Sequence, residues 1–442
     1  ASYGQFSEGD GTQHKQSLSF GLPLSDQGWL RVAVEKREQN STNRALADFR
    51  NPAEPLYGTV SQRFGDPDSD QGAIFLNGQL SINNDVEAYF FGSHSSRDSH
   101  AAGFYRPALD SRNIRSIYPN GYLPIEASNS LDQSLVAGLR GVTDAGWRWD
   151  LSANYGANRF RLNIDNTLNT SLGASSPTRF YAGELENVQT VVNADFAREY
   201  SLGWLAGPLT VGWGLETRNE RYAISAGSPE SWFGSGAQVF SGFRPSDAST
   251  SKRDSKAVYL NLEADITKRF SGSAALRAEN YSDFGDATSA KLAGRYAVSP
   301  QVALRGTAST GFRAPSLVQQ HYSTTTTSFI SSVPYDVRTF SVTDPVARQL
   351  GAEDLKAEKS THFSLGVLLQ PSRVFTTSID AYQVGIKDRI VLSENLTGAA
   401  VRSFLAANGY PGTDGGRYFP NGIDTRTRGV DGVSTYRLDL QP

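Results

Sequence analysis

The chain has 442 residues, a net charge of −3 and a pI near 6.0, so no basic footprint marks it as a nucleic-acid binder. No stretch approaches the roughly 18 consecutive apolar residues that a spanning helix needs, which excludes helical membrane spans but leaves membrane strands open, because strands hide their apolar residues at every second position. Cysteine is absent, which removes disulfides and thiolate metal sites together.

The dominant pattern is alternation with period two, the mark of strands with two unlike faces. Taken in chain order, it predicts a partial strand at 1–8. Further strands follow near 14–22, 29–38, 73–82, 86–96, 133–142, 147–162, 186–199 and 207–222. The last are near 254–267, 271–282, 287–298, 302–312, 359–370, 373–391 and 424–438. In the third full strand Ile74, Leu76, Leu80 and Ile82 share one face and Asn77, Gln79 and Ser81 the other. In 147–155, Trp147, Trp149, Leu151, Ala153 and Tyr155 oppose Arg148, Asp150, Ser152 and Asn154. In 258–266, Val258, Leu260, Leu262 and Ile266 oppose Tyr259, Asn261, Glu263 and Asp265. Helix is expected only in loops.

The links between these strands are sorted by length. Short ones fall at Pro23–Gly28, Asn83–Asp85, Thr143–Gly146, Ser201–Leu205, Ser299–Pro300 and Pro371–Ser372. Long ones run over 39–72, 97–131, 163–185, 223–253, 313–358 and 392–423, with 283–286 a short exception among them. One end of the sheet is thus tied by tight turns and the other carries large loops, as in outer-membrane barrels with short periplasmic turns and long extracellular loops. The polar face carries Arg31, Glu35, Asp150, Glu263, Arg277, Lys291 and Arg305. A soluble barrel fills its interior with apolar side chains, so a charged face implies a polar lumen, with Leu76, Leu80, Trp149, Leu151, Val211, Leu260 and Leu292 pointing outward. Trp29, Trp147, Trp149 and Trp204 lie beside short turns, where an aromatic girdle sits. The fold class is therefore all-β, an antiparallel transmembrane β-barrel.

Several segments resemble the barrel of TonB-dependent outer-membrane receptors. Gly311-Phe312-Arg313-Ala314-Pro315-Ser316 closes a strand as that family's Gly-Phe-Arg-Ala-Pro-Ser turn does. Leu355-Lys356-Ala357-Glu358-Lys359-Ser360 is similar to its Leu-Lys-Pro-Glu-x-Ser pattern, with Ala357 in place of the usual proline. Ser378-Ile379-Asp380-Ala381-Tyr382 and Ile386-Lys387-Asp388-Arg389-Ile390 follow in the family's order. Weaker echoes are Arg63-Phe64-Gly65-Asp66-Pro67, Tyr105-Arg106-Pro107 and Tyr118-Pro119-Asn120-Gly121-Tyr122-Leu123-Pro124. The resemblance implies a barrel of about 22 strands, of which 1–442 is a partial set of about 16, with the N-terminal plug domain and TonB-contacting segment not present. It also implies energised uptake of a scarce ligand (an iron-siderophore, cobalamin or an oligosaccharide) across the Gram-negative outer membrane. The implied partners are outer-membrane lipid, that small ligand, and the TonB complex through the missing N-terminal region. A passive porin and a soluble carbohydrate-binding module are the alternatives.

No catalytic role is expected. The histidines His14, His94, His100, His321 and His362 lack metal-ligand spacing, and Asp66, Asp68 and Asp70 begin a calcium-like pattern that fails at Gln71 and Asn77. No nucleophile elbow or phosphate loop occurs, so neither a cofactor nor a metal is expected. Aromatic rings with hydroxyls suit amphipathic ligands, and the long loops supply Tyr105, Tyr118, Tyr122, Arg313, His321, Tyr322, Phe329 and Tyr335 as candidate ligand-binding residues. Self-packing within each loop is the alternative for the aromatics, and strand punctuation the alternative for Arg313.

Overall fold

The computed structural model describes residues 1–330 and 333–438, with the side chains of 327–334 outside the described set. Its strands in chain order are Ser2–Gly4 (β1), Gln13–Ser25 (β2), Gly28–Gln39 (β3), Asp68–Ser81 (β4), Val86–Ala102 (β5), Ile125–Val142 (β6), Arg148–Asp165 (β7), Arg179–Tyr200 (β8), Leu209–Ala226 (β9) and Ser249–Thr267 (β10). They continue with Phe270–Tyr281 (β11), Gly285–Ser299 (β12), Val302–Arg313 (β13), Thr324–Ile330 (β14), Val333–Thr339 (β15), Glu358–Ser372 (β16), Phe375–Ile390 (β17), Leu396–Thr397 (β18), Gly415–Arg417 (β19) and Asn421–Tyr436 (β20). Among the described residues the α-helices are Pro229–Trp232 (α1), Leu317–His321 (α2), Pro345–Gln349 (α3) and Ala399–Ala407 (α4), which with a 3-10 turn at Thr170–Ser175 all lie in loops.

Sixteen strands form one sheet in which each pairs with the next along the chain, β13 passing to β16 and β17 to β20. Every pair is antiparallel. These are the sixteen strands that the alternation predicts. Loop strands β14, β15, β19 and β18 make a separate four-stranded sheet, with β15 and β19 parallel. The alternation gave no hint of this second sheet.

The register explains the two faces. Leu262, Ala274, Leu292, Ala308 and Phe363 lie side by side across five neighbouring strands. Leu76, Leu80, Leu151 and Leu260 occupy the same exposed apolar face, where Leu292 is 64% and Leu365 73% accessible. On the opposite face Glu87, Arg140, Asp150 and Asp195 align across β5–β8, and Arg295, Arg305, Gly366, Asp380 and Asp431 align across β12–β20. That polar face is the interior one. Its outermost residues Ile164, Tyr222 and Ile224 are covered by Phe240, Phe243 and Leu317 from folded-in loops. The buried apolar cores thus sit in the loop layer, while the wall keeps its apolar face open, as lipid contact requires.

A recurrent local device braces the inner wall. A long side chain reaches over a glycine on the next strand to an aspartate two strands away. Tyr89 donates to Asp150 at 2.7 Å across Gly138, Tyr259 to Asp195 across Gly214, and the Arg305 Nε to Asp380 at 2.7 Å across Gly366. At each glycine a Cβ would collide with one of the bridging groups. At the short-turn end Phe196 stacks on Trp213, which meets Trp147 edge-on.

Candidate functional site

The long loops condense into two groups at one end of the wall. In the first, the segments after β3 and β5 face each other and the segment after β9 closes behind them. Between the first two lies a cavity of about 1100 Å³, whose lining includes Phe49, Phe64, Phe104 and Tyr105 together with Arg106 and Arg112. Local hydrogen bonds hold this shape. The Tyr105 N–H donates to Gln62 Oε1 at 2.6 Å and its hydroxyl to the Asn120 carbonyl at 2.5 Å. Asn43 and Arg44 are anchored on Asp10. Asp48 takes a bidentate grip from Arg50, which holds its carboxyl down to about 2.

These two arginines differ in how their charge is met. Arg112 donates to both oxygens of Asp110, at 2.9 and 2.6 Å, while its remaining Nη1 is buried without a partner. Arg106 is 3% exposed and donates only to neutral oxygens in these contacts: Phe104 O at 2.8 Å and Gln238 Oε1 at 3.3 Å. Among the described residues no carboxylate lies within ion-pair distance of it. Burial, and then the neighbouring Arg112 charge, lower its affinity for a proton. Gln238 is presented from the tip of the segment after β9, where Val239 holds a φ of 79°, a strained conformation for a β-branched residue.

The second group is the four-stranded loop sheet with α3 and α4. Phe340, Val346, Ala347, Ala352 and Leu405 form its core. Beside it Arg338 and Asp247, each 1% exposed by side chain, pair at 2.6 Å. Ser323 joins the pair, and the guanidinium sits 4.6 Å from the Tyr410 ring centroid.

The sequence-predicted residues do not converge on one site. Tyr105 lines the cavity. Tyr118 and Tyr122 stack on each other at 4.6 Å behind it, and the Tyr122 hydroxyl donates to the Arg112 carbonyl at 2.9 Å. Arg313 pairs at 2.5 Å with Glu358, whose carboxylate also accepts the Ile390 N–H. That contact ties β13, β16 and β17 together at their loop ends. His321 ends α2, where burial lowers its pKa. Tyr322 packs against the Phe243 core. Tyr335 pairs with Ser328 in the loop sheet, and the Phe329 side chain lies outside the described residues. Sequence reasoning missed Arg112, and it met Arg106 only as the middle of Tyr105-Arg106-Pro107. The available signal was the arginine density of the first two long loops.

Other hollows lie on the wall. One of about 770 Å³ between Trp204, Leu209, Phe270 and Leu292 is almost wholly apolar, a groove of the outer surface with no converging polar groups. Among the described residues no group of three or more His, Cys, Asp or Glu side chains could hold a metal.

A single antiparallel meander with an open apolar exterior, a charged interior and a folded loop layer at one end defines a transmembrane β-barrel of the receptor type. The chain belongs to the TonB-dependent receptor-like β-barrel family, whose model matches residues 83–441. Its members are receptors and transporters, not enzymes. No curated protein matches the sequence. Among solved structures, a mutant of the ferric enterobactin receptor PfeA from Pseudomonas aeruginosa aligns with 99% of this chain at a TM-score of 0.69 and 14% identity. The siderophore receptor PirA from the same organism aligns with 96% at 0.63 and 14%, and the RagAB peptide transporter with 97% at 0.62 and 11%. The chain spans 59% of the length of the first two and 49% of the third.

Proposed function

We propose that this protein is an outer-membrane receptor that takes up a scarce small ligand (an iron-siderophore, cobalamin or an oligosaccharide) with energy delivered through the TonB complex. The family match over 83–441 carries the reading, and the structure adds a loop-layer cavity walled by aromatic rings. PfeA, a similar fold, has been solved in complex with enterobactin. The open apolar face meets outer-membrane lipid, and the loops face outward to capture ligand. TonB engages the intact protein through its N-terminal region.

Cells carrying the complete gene should accumulate one of three labelled probes: a ferric catecholate, cobalamin or a malto-oligosaccharide. Accumulation should cease when a protonophore collapses the inner-membrane gradient. Steady uptake that ignores the protonophore and depends only on solute size would replace the receptor by a passive porin.

A further inference from the structure

We infer that the cavity between the loops after β3 and β5 is an anion site, built to take an aromatic carboxylate with Arg106 and Arg112 as its charge readers. The inference deepens the uptake reading by naming a substrate class, and it rests on that reading only for the claim that the bound acid is cargo. A buried cation without an anionic partner is costly, and proteins place one where another charge is to arrive. Arg106 meets both conditions, being 3% exposed and bonded here only to neutral oxygens.

Arg112 adds a second charge beside it, on a side chain about a third open, while its unpartnered Nη1 is closed to the cavity as it is to water. Asp110 neutralises the other edge of Arg112, and Asp336 on β15 adds a weaker attraction from further away. Arg50 is held by Asp48, and Arg44 by Asp10 and Glu8. The cationic side chain left without a bonded carboxylate in the cavity lining is therefore Arg106, which Asp110 attracts only through space. A guanidinium pair suits the two oxygens of a carboxylate. Phe49, Phe64 and Phe104 in the lining suit a flat apolar body.

The test uses protein expressed from its complete gene and held in lipid nanodiscs, with naphthoate and its neutral isostere naphthamide as probes followed by saturation-transfer NMR. Naphthoate should bind and weaken with salt, and naphthamide should bind at least about tenfold less tightly. Arg106→Gln and Arg112→Gln should each weaken naphthoate by about tenfold or more. Asp110→Asn, which frees Arg112 from its competing carboxylate, should tighten it, a gain that misfolding could not produce. Equal binding of acid and amide, no detectable naphthoate binding, or indifference to Arg112→Gln together with no gain in Asp110→Asn would overturn the anion site. Energised uptake of labelled naphthoate, beside the probes above, is scored separately in cells. Naphthoate binding without energised uptake would remove the receptor reading and leave the anion site standing, and the reverse pattern would do the opposite.

Discussion

At Gly214 a missing side chain decides a contact between two others. The Tyr259 hydroxyl and an Asp195 oxygen both lie within 2.6 Å of where a Cβ would stand, so even alanine must separate them. Gly214→Ala should therefore cost about 1 kcal/mol, the worth of one such hydrogen bond. Adding Tyr259→Phe should cost almost nothing more, because the two changes remove the same contact. Denaturant titration of the reconstituted barrel closes this cycle, and additive losses would show that the glycine acts through something else. His321 supplies a second expectation at this scale. Its folded pKa lies below the usual 6.5 because burial disfavours the charged ring. The unfolded segment then binds more protons, so its packing is fully stable above pH 6.5 and weakens as pH falls from there toward the lower folded value. Hydrogen exchange of 317–322 should accelerate on acidification through that window, and His321→Gln should flatten the response.

Among the elements, the wall strands were legible and the loop sheet was not, for one physical reason. A wall strand separates two unlike environments, so Leu260 and Glu263 announce their faces. Strands β14 and β15 lie within the loop layer, where Thr324, Val337, Arg338 and Thr339 are all nearly fully buried and no alternation survives. Arg106 escaped for a related reason. An arginine in a polar loop looks solvated, and what buries and contacts it includes Gln238, 132 residues away. Arg338 is a buried weak point of the loop sheet. Asp247→Asn would leave its buried charge unmatched, at a cost of about 3–5 kcal/mol. That loss belongs to the loop layer, so trypsin should open 314–357 while cleavage within the wall strands stays slow. Pairing the change with Arg338→Met should recover most of the loss, since the stranded charge is then gone.

For the molecule as a whole, β1 pairs only with β2, and β20 only with β17. Two sheet edges therefore remain open among the described residues, and β20 presents one of 16 residues. Each unpaired N–H or C=O costs several kcal/mol in hydrocarbon. The 442-residue chain alone, refolded into lipid vesicles, should accordingly yield no compact heat-modifiable band and no size-limited leakage. A tight, leaky species from this chain by itself would mean that β1 and β20 find each other in lipid and close a porin-sized ring.

The pairs that lock the loop layer come from distant parts of the chain: Gln238 reaches back 132 residues to Arg106, and Arg338 reaches back 91 to Asp247. Each can form only once both of its loops are in place. The loop layer therefore matures late, the first lock waiting for the β5–β6 and β9–β10 connections and the second for the β9–β10 and β13–β16 connections, in keeping with the entropy of closing such long loops. Until then the outer segments are open chain, and their resistance to protease becomes a clock that reads how far insertion has gone.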